Sequence, residues 1–549
     1  MTINTPRLSR RALLGTAALG AAAIGTAGLA ACGPSGDSGD NGNNGNSGSG
    51  KLVPPTYVPF AGVTPDKPGD ATGVSPVFYN YPNPPIEREG YPLTGGAPWR
   101  SFQQSLPTKV PPAENKAFQQ MAELTGSSFE IIHGTSVQYL EKFQTLMASN
   151  DLPDFVQIVS VAQLPKLLEK NFTDLTDVLG GDNVKKYPGL ANIPTETWKI
   201  PALNGKLWGI PQPRPPANIV ITSRGDVMAE RGLDDPNLKL RDGNDFVNLL
   251  KELTNKSKDE FAMGALPSTW LLRVVLQMVG APNVWKEEGG TFTHMMESEQ
   301  YKVALEQSAK IWQAGYLHPN SFSEPSNNAI WYRAGTTALY VQSFVGWGGN
   351  ANSNPEWNVG NIEMPKWDGG GMANIHKSVA GYGAYVAIKK SEGARLEYLL
   401  KIADLIASPF GTKQFLQANY GVEGYNYNFV DGNPVTLPVD SNPGAVAMSY
   451  MGGNSGGILF GRGRKESVDA QQDYLKRALP NGIDDPTWGL YSETFTTKGA
   501  TQAKAQADLE REIITGTKPI SVWDDWVKSW RAAVGDASAK EYAEAKAAQ

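Results

Sequence analysis

The chain has 549 residues and a formal net charge of −6, with 40% hydrophobic and 19% charged residues. Its length and composition are those of a soluble globular protein with at least two domains. The 49 basic and 55 acidic residues are interspersed, so there is no extended positive field to hold a nucleic acid or an anionic lipid surface.

Residues 1–31 are predicted to be a twin-arginine lipoprotein signal peptide. Arg10 and Arg11 precede an apolar run rich in Ala and Gly, and residues 29–32 resemble a lipobox. Cys32 is the only cysteine, so lipidation explains it better than a disulfide does. A transmembrane anchor is the alternative, because the run is long enough to span a bilayer. We expect the mature chain to be extracytoplasmic, anchored through lipidated Cys32 to the outer face of the bacterial cell membrane.

Two segments without globular character follow the signal. Residues 32–50 consist almost wholly of Gly, Ser, Asn and Asp, which is typical of a flexible linker. Residues 51–98 are rich in Pro and Tyr and are predicted to form an extended arm along the folded body.

The body alternates helical and strand patterns. A helix at 113–124, a strand at 129–132, a helix at 137–148 and a strand at 154–159 give a βαβ rhythm, which favours an α/β layer with a mainly parallel sheet. Trp523, Trp526 and Trp530 have helical spacing and are predicted to form a packed face. Further helices are predicted at 245–253, 270–279, 299–314, 393–406, 410–418 and 501–514.

Several short blocks carry a family resemblance. Residues 204–211, with the sequence NGKLWGIP, resemble a segment of the ABC-transporter extracellular solute-binding proteins of family 1. Further blocks resemble the large LplA/YtcQ/alginate-binding-protein-like members of that family, and they lie at 332–339, 407–411, 420–427 and 516–520. No single block is specific, and the resemblance depends on their order together with the lipobox.

The resemblance implies an α/β, two-lobed periplasmic-binding-protein fold of the class II type. Each lobe would be a mixed sheet flanked by helices, with hinge-crossing segments near 212–217, 360–365 and 423–428. Lobe 1 is expected at 99–215 and about 361–425. Lobe 2 is expected at 216–360 and about 426–549. A ligand held between the lobes loses water on both faces, while hinge residues take up the dihedral changes of closure.

The same resemblance implies a function. The chain would be a monomeric, non-enzymatic substrate-binding lipoprotein of an ABC importer. It would capture a carbohydrate, an oligosaccharide above all, and deliver it to the permease subunits in the membrane. A secreted carbohydrate-active hydrolase and a peptide-binding lipoprotein of the same fold remain alternatives.

Ligand contacts are expected from aromatic and planar polar side chains at loops bordering the cleft, because sugars offer C–H faces and hydroxyl groups. Trp347 and Tyr382 are flanked by glycines, and Trp347 is expected at the end of a strand. Aromatic residues more often belong to a core, which is the competing interpretation for each ring. The candidates are Gln212, Arg214, Trp270, Trp347, Tyr382, Glu423 and Tyr425.

Catalytic and metal patterns are weak. Residues 453–457 match Gly-x-Ser-x-Gly, but the last histidine, His376, precedes Ser455, whereas the hydrolases with this motif have the histidine after the serine. Residues 254–260 correspond to a calcium loop in some family members and lack its alternating oxygen ligands. We expect no metal and no cofactor.

Overall fold

The computed structural model describes residues 52–548, apart from 71, 136–137, 150, 218, 379–384, 439, 447 and 454–456. The predicted signal, Cys32 and the linker lie outside the described residues, as do Tyr382 and Ser455. The strands are β1 (Val77–Phe78), β2 (Trp99–Gln103), β3 (Phe129–His133), β4 (Phe155–Gln157), β5 (Ala202–Leu203), β6 (Lys206–Leu207), β7 (Ile210–Pro211), β8 (Ile219–Ser223), β9 (Phe261–Met263), β10 (Trp285–Glu288), β11 (Thr291–His294), β12 (Thr337–Ser343), β13 (Gly360–Ile362), β14 (Tyr385–Ile388), β15 (Tyr427–Val430), β16 (Asn433–Thr436) and β17 (Leu459–Phe460).

Helices cover both sheets described below. They are α1 (Lys116–Thr125), α2 (Tyr139–Ala148), α3 (Leu164–Asn171), α4 (Thr176–Leu179), α5 (Pro188–Ala191), α6 (Gly225–Glu230), α7 (Gly243–Glu252), α8 (Leu272–Met278), α9 (Glu299–Ala314), α10 (Asn328–Arg333), α11 (Phe344–Ser353), α12 (Gly393–Ile406), α13 (Lys413–Asn419), α14 (Lys465–Ala478), α15 (Ala500–Ile514), α16 (Val522–Trp530) and α17 (Asp536–Ala547).

A five-stranded sheet, called sheet A below, has the order β3-β2-β4-β14-β7. β2 pairs in parallel with β3 and β4, as the βαβ rhythm of the sequence predicts. β14 comes from much later in the chain and inserts antiparallel between β4 and β7, with Val386 opposite both Gln157 and Ile210. Sheet A is therefore mixed.

A four-stranded sheet, called sheet B below, has the order β13-β8-β12-β9. β8 is antiparallel to both of its neighbours, while β12 and β9 are parallel. All five residues of β8 are buried, which is expected of a central strand covered on both faces.

Each sheet has its own core. Trp99 and Phe155 pack with α1 and α12 on one face of sheet A, and the alternate residues Phe102 and Val156 pack on the other face with α2. A separate core surrounds sheet B and includes the buried Trp523 of α16. By contacts, residues 51–549 form one compact unit, so the division into two lobes stays a prediction supported by the separate sheets and cores.

The chain passes repeatedly between the sheets. It leaves β7 of sheet A and enters β8 of sheet B through residues 212–218, at the first expected crossing. The chain returns from β13 of sheet B to β14 of sheet A, and Met364, Ala373 and Ile375 after β13 still pack in the sheet B core. The boundary expected near 360 stays a prediction. Met448 and Met451 pack in the sheet A core, whereas Leu459 packs in the sheet B core. The crossing expected near 423–428 stays a prediction.

The arm contacts both cores. Leu52 and Val58 pack against the sheet A core, and Val77 of β1 is buried in the sheet B core, where β1 pairs with β17. The arm then returns to sheet A, where Arg88 forms a buried ion pair with Asp404 at 2.5 Å. The described part of the arm is thus integral to the body.

Candidate functional site

A cavity of about 500 Å³ lies between sheet A and sheet B, beside the first crossing. The crossing forms one wall, α11 after β12 of sheet B forms the second, and α13, which packs on α1 and α12, forms the third. The lining residues are Gln212, Pro213, Arg214, Pro215, Phe344, Val345, Gly348, Gly349, Asn352, Phe410, Phe415, Asn419, Tyr420, Thr436, Ile458, Leu459, Phe460, Arg462 and Gln471.

Two predicted candidates lie on this cavity. Gln212 is 8% exposed and Arg214 is half-buried, and both lie on the first crossing among prolines. Pro213 and Pro215 alternate with them and restrict the backbone dihedrals of this short connection. The segment that joins the two sheets therefore also presents polar side chains to the space between them.

Helix α11 has a cavity face and an opposite face that packs in the core. Val345, Gly348, Gly349 and Asn352 line the cavity, at helical spacings of three and four residues. A Cβ atom added at Gly349 would meet no atom within 4 Å. The missing side chains of the two glycines therefore enlarge the cavity.

The opposite face of α11 carries Trp347, and here the sequence-based expectation is wrong. Strand β12 ends at Ser343, and Trp347 lies inside the helix rather than at a strand end. Its ring is 1% exposed, packs near Phe344 and Tyr474, and donates its Nε1–H to the carbonyl of Val359. The glycines, which are weak helix formers, concealed the helical spacing.

The three other described candidates lie apart from the cavity lining. Trp270 is half-buried beside the sheet B core, with the Arg273 guanidinium 5.9 Å from its ring centre. Glu423 is exposed, and Tyr425 is half-buried with Lys116 Nζ 5.3 Å from its ring centre. Tyr382 is outside the described residues. A ligand-contact role for these four residues stays a prediction.

Several lining residues were missed by sequence reasoning. Tyr420 and Arg462 come from separate loops that only the folded chain brings together. Burial raises the pKa of Tyr420, and the positive charge of Arg462 opposes that rise. Arg462 has a φ of +47°, a left-handed conformation that is uncommon for a non-glycine residue. No local pattern distinguished this arginine from any other.

Within the described ranges there is no group of three or more His, Cys, Asp or Glu side chains placed to hold a metal ion. The segment at 254–260 forms a short 3₁₀ turn, Lys256–Lys258, and Lys256 Nζ donates to the carbonyl of Ala314.

Comparison with known proteins identifies the fold. No family model matches the chain. Lipoprotein LipO of Bacillus subtilis (strain 168) is 21% identical over 466 residues, which cover 79% of this chain and 89% of LipO. The polygalacturonan/rhamnogalacturonan-binding protein YtcQ of the same organism is 22% identical over 460 residues, with coverage of 79% and 88%. The N-glycan transport solute-binding protein NgtS of Streptococcus pneumoniae superposes with a TM-score of 0.60 at 16% identity, over 82% of this chain and 99% of NgtS.

The chain has the solute-binding-protein fold. The resemblance seen in the sequence is confirmed, and the chain is a distant homologue of LipO and YtcQ. The predicted fold class, α/β with mixed sheets flanked by helices, is confirmed as well. In this solute-binding-protein fold, no described helix has the length and apolar character needed to cross a membrane.

Proposed function

We propose that the chain is the substrate-binding lipoprotein of an ABC importer and that it captures an oligosaccharide in the cavity between the sheets. The observation that carries the proposal is the composition of the cavity wall. Amide, hydroxyl and guanidinium groups from both sides stand beside the partly exposed ring of Tyr420, behind which Phe410 and Phe415 are packed in the core. Flat rings suit the C–H faces of sugars, and planar polar groups suit their hydroxyls.

The relatives support this choice of ligand class. By its name, YtcQ binds polygalacturonan and rhamnogalacturonan, and NgtS is a transport protein for N-glycans. The cavity volume of about 500 Å³ falls within the usual range of small-molecule sites, about 300–1,000 Å³. The volume fits a small ligand, and the names of the relatives favour a saccharide over a peptide.

The membrane anchor and the permease belong to the same proposal. LipO is a lipoprotein by name, and Cys32 follows a lipobox-like segment in this chain. The twin-arginine route would export the chain from the cytoplasm. Lipidated Cys32 and the flexible 32–50 linker would then hold the binding body near the permease.

The hydrolase alternative has less support. Glycoside hydrolysis uses two carboxylates about 5–10 Å apart across the bound sugar. Among the described residues that line the cavity, none is Asp or Glu. The described lining therefore supplies no carboxylate pair for glycosidic cleavage, which favours binding over hydrolysis.

Calorimetric titration of the mature chain with neutral oligosaccharides, acidic oligosaccharides and peptides tests the proposal, with mass spectrometry of the recovered ligand. We expect saturable one-to-one binding of an intact saccharide. Gln212→Ala should weaken it by roughly tenfold, since one charged or well-placed hydrogen bond contributes about 1.4 kcal/mol. Gln138→Ala, an exposed glutamine outside the cavity, is the matched control. Peptide binding alone, or cleaved sugar, would refute the proposal.

A further inference from the structure

We infer that the cavity selects an acidic saccharide, one that carries carboxylate groups. This inference rests on the proposed function, because it names the substrate class of the same site. The first support is the charge of the side chains that line the cavity. The lining includes the guanidinium groups of Arg214 and Arg462 and no acidic side chain among the described residues, although the whole chain has a net charge of −6. The described lining is therefore positively charged, whereas the whole chain has a negative net charge.

The guanidinium of Arg462 gives the strongest support for an acidic ligand. Its Nε is buried and has no hydrogen-bond partner among the described residues. Leaving such a donor unsatisfied costs about 1–3 kcal/mol, and more for a charged group. A carboxylate in the cavity would neutralise the charge of this guanidinium, which no acidic side chain of the described lining does. Planar guanidinium and planar carboxylate also match in geometry.

Neighbouring groups add to the positive potential. The pKa of Arg464 is lowered, first by burial and then by the like charge of Arg462, while Glu356 opposes that shift. The amino-terminal residues of α11, Phe344 and Val345, also line the cavity, so the positive end of a ten-residue helix faces the same space. Its cap residue, Ser343, makes no side-chain cap hydrogen bond. The arginine charges and the helix dipole both favour a negatively charged ligand in the cavity.

A neutral sugar fits this arrangement less well. Its hydroxyls can accept from a guanidinium, but they leave the positive charge beside the cavity without a counterion. A carboxylate forms charge-assisted hydrogen bonds that are roughly twice as strong as neutral ones. The free energy gained on binding should therefore depend on the ligand's charge and decrease with ionic strength.

The test compares saccharides that differ only in charge. Trigalacturonate and trimannuronate are titrated against their carboxyl-reduced counterparts, at low and high salt, by calorimetry. We expect at least one acidic trimer to bind about tenfold or more tightly than its reduced form, with affinity that falls as salt rises. Arg462→Gln should remove about tenfold of that affinity and leave the binding of the reduced trimer nearly unchanged.

Arg333→Gln is the matched control, because Arg333 is exposed and lies outside the cavity, so it removes the same charge from the surface. Thermal melts of both variants report any loss of folding. Equal or tighter binding of the reduced trimers would overturn the inference and leave the proposed function standing. If no member of the wider oligosaccharide panel bound, the proposed function itself would fail.

Discussion

At the scale of single residues, the size of the cavity depends on two positions of α11 that carry no side chain. Gly348 and Gly349 occupy positions on its cavity face where a side chain would reduce the space. Gly349 has no positive φ that would require glycine. Its glycine therefore serves the cavity and destabilises the helix, since glycine inside a helix costs roughly 0.5–1 kcal/mol relative to alanine.

Gly349→Ala should therefore raise the free energy of unfolding by about 0.5–1 kcal/mol in urea denaturation, because its Cβ meets no atom within 4 Å. The small methyl group should leave ligand affinity nearly unchanged. Gly349→Trp should keep the fold and abolish binding by filling the cavity. Wild-type affinity in the tryptophan variant would show that the ligand binds elsewhere.

Buried Glu510 predicts a pH dependence of stability. Burial raises its pKa to about 7, although Tyr301 and Gln506 donate hydrogen bonds to its carboxylate and oppose the rise. The folded state then binds more protons than the unfolded state between about pH 4.5 and 7. The stability that Glu510 contributes is present below pH 4.5 and is lost as pH rises through 7, by about 3 kcal/mol in total.

Glu510→Gln should remove this loss. The difference in free energy of unfolding between variant and wild type should grow in favour of the variant from pH 5 to pH 8, which urea titrations at several pH values measure. Because other groups cancel in the difference, a constant difference across that range would contradict the assignment.

At the scale of elements, the arm shows how an extended segment is fixed without regular structure. The Arg88 guanidinium pairs with Asp404 and also donates to the hydroxyl of Ser408, and the same carboxylate accepts from Tyr91 and from the amide of Gly189. Removing one partner of a buried ion pair leaves an uncompensated charge, at a cost of about 3–5 kcal/mol.

Asp404→Ala should therefore lower the free energy of unfolding by about 3–5 kcal/mol and expose the arm to proteolysis. Asp508→Ala, which breaks an exposed pair with Lys504 on α15, should cost under about 1 kcal/mol. Urea denaturation and limited proteolysis measure both variants. Similar small losses in the two would mean that the arm is held by its apolar contacts alone.

Elements with strong local signals were predictable. Helix α9 spans Glu299–Ala314, as predicted, because Ser298 caps its first turn and Gly315 ends it in the left-handed conformation. Helix α11 was not predicted, because it contains three glycines, which are weak helix formers. Gln212 and Arg214 could be placed near the cavity because a family-like segment precedes them, whereas Arg462 depends on tertiary contacts that no local pattern encodes.

At the scale of the whole molecule, hydrogen bonds bridge the two sheet systems away from the crossings. The Tyr491 hydroxyl donates to the carbonyl of Val161 at 2.9 Å, and the amide of Gln163 donates to Glu493 at 2.7 Å. Residues 161 and 163 follow β4 of sheet A. The segment that carries Tyr491 and Glu493 contacts both sides, since Phe495 packs on the sheet B core and Tyr491 packs on the Phe102 core of sheet A. We expect these bonds to exist only when the two sides are in contact.

Glu493→Ala should shift the ligand-free protein toward a more open arrangement, with a larger radius of gyration in small-angle X-ray scattering. Ligand affinity should fall by roughly tenfold, because a charge-assisted hydrogen bond of about 1.5–3 kcal/mol is lost from the arrangement that binds. Glu512→Ala, a partly exposed acidic residue on α15, serves as control. An unchanged radius and affinity in Glu493→Ala would show that the bridge does not govern closure.

A crystal structure of the mature chain with the tightest-binding oligosaccharide tests the central claim most directly. We expect one intact saccharide between the 212–215 crossing, the glycine face of α11 and α13, with a polar group of the sugar within hydrogen-bond distance of Arg462. A saccharide bound outside this cavity, or broken at a glycosidic bond within it, would contradict the account.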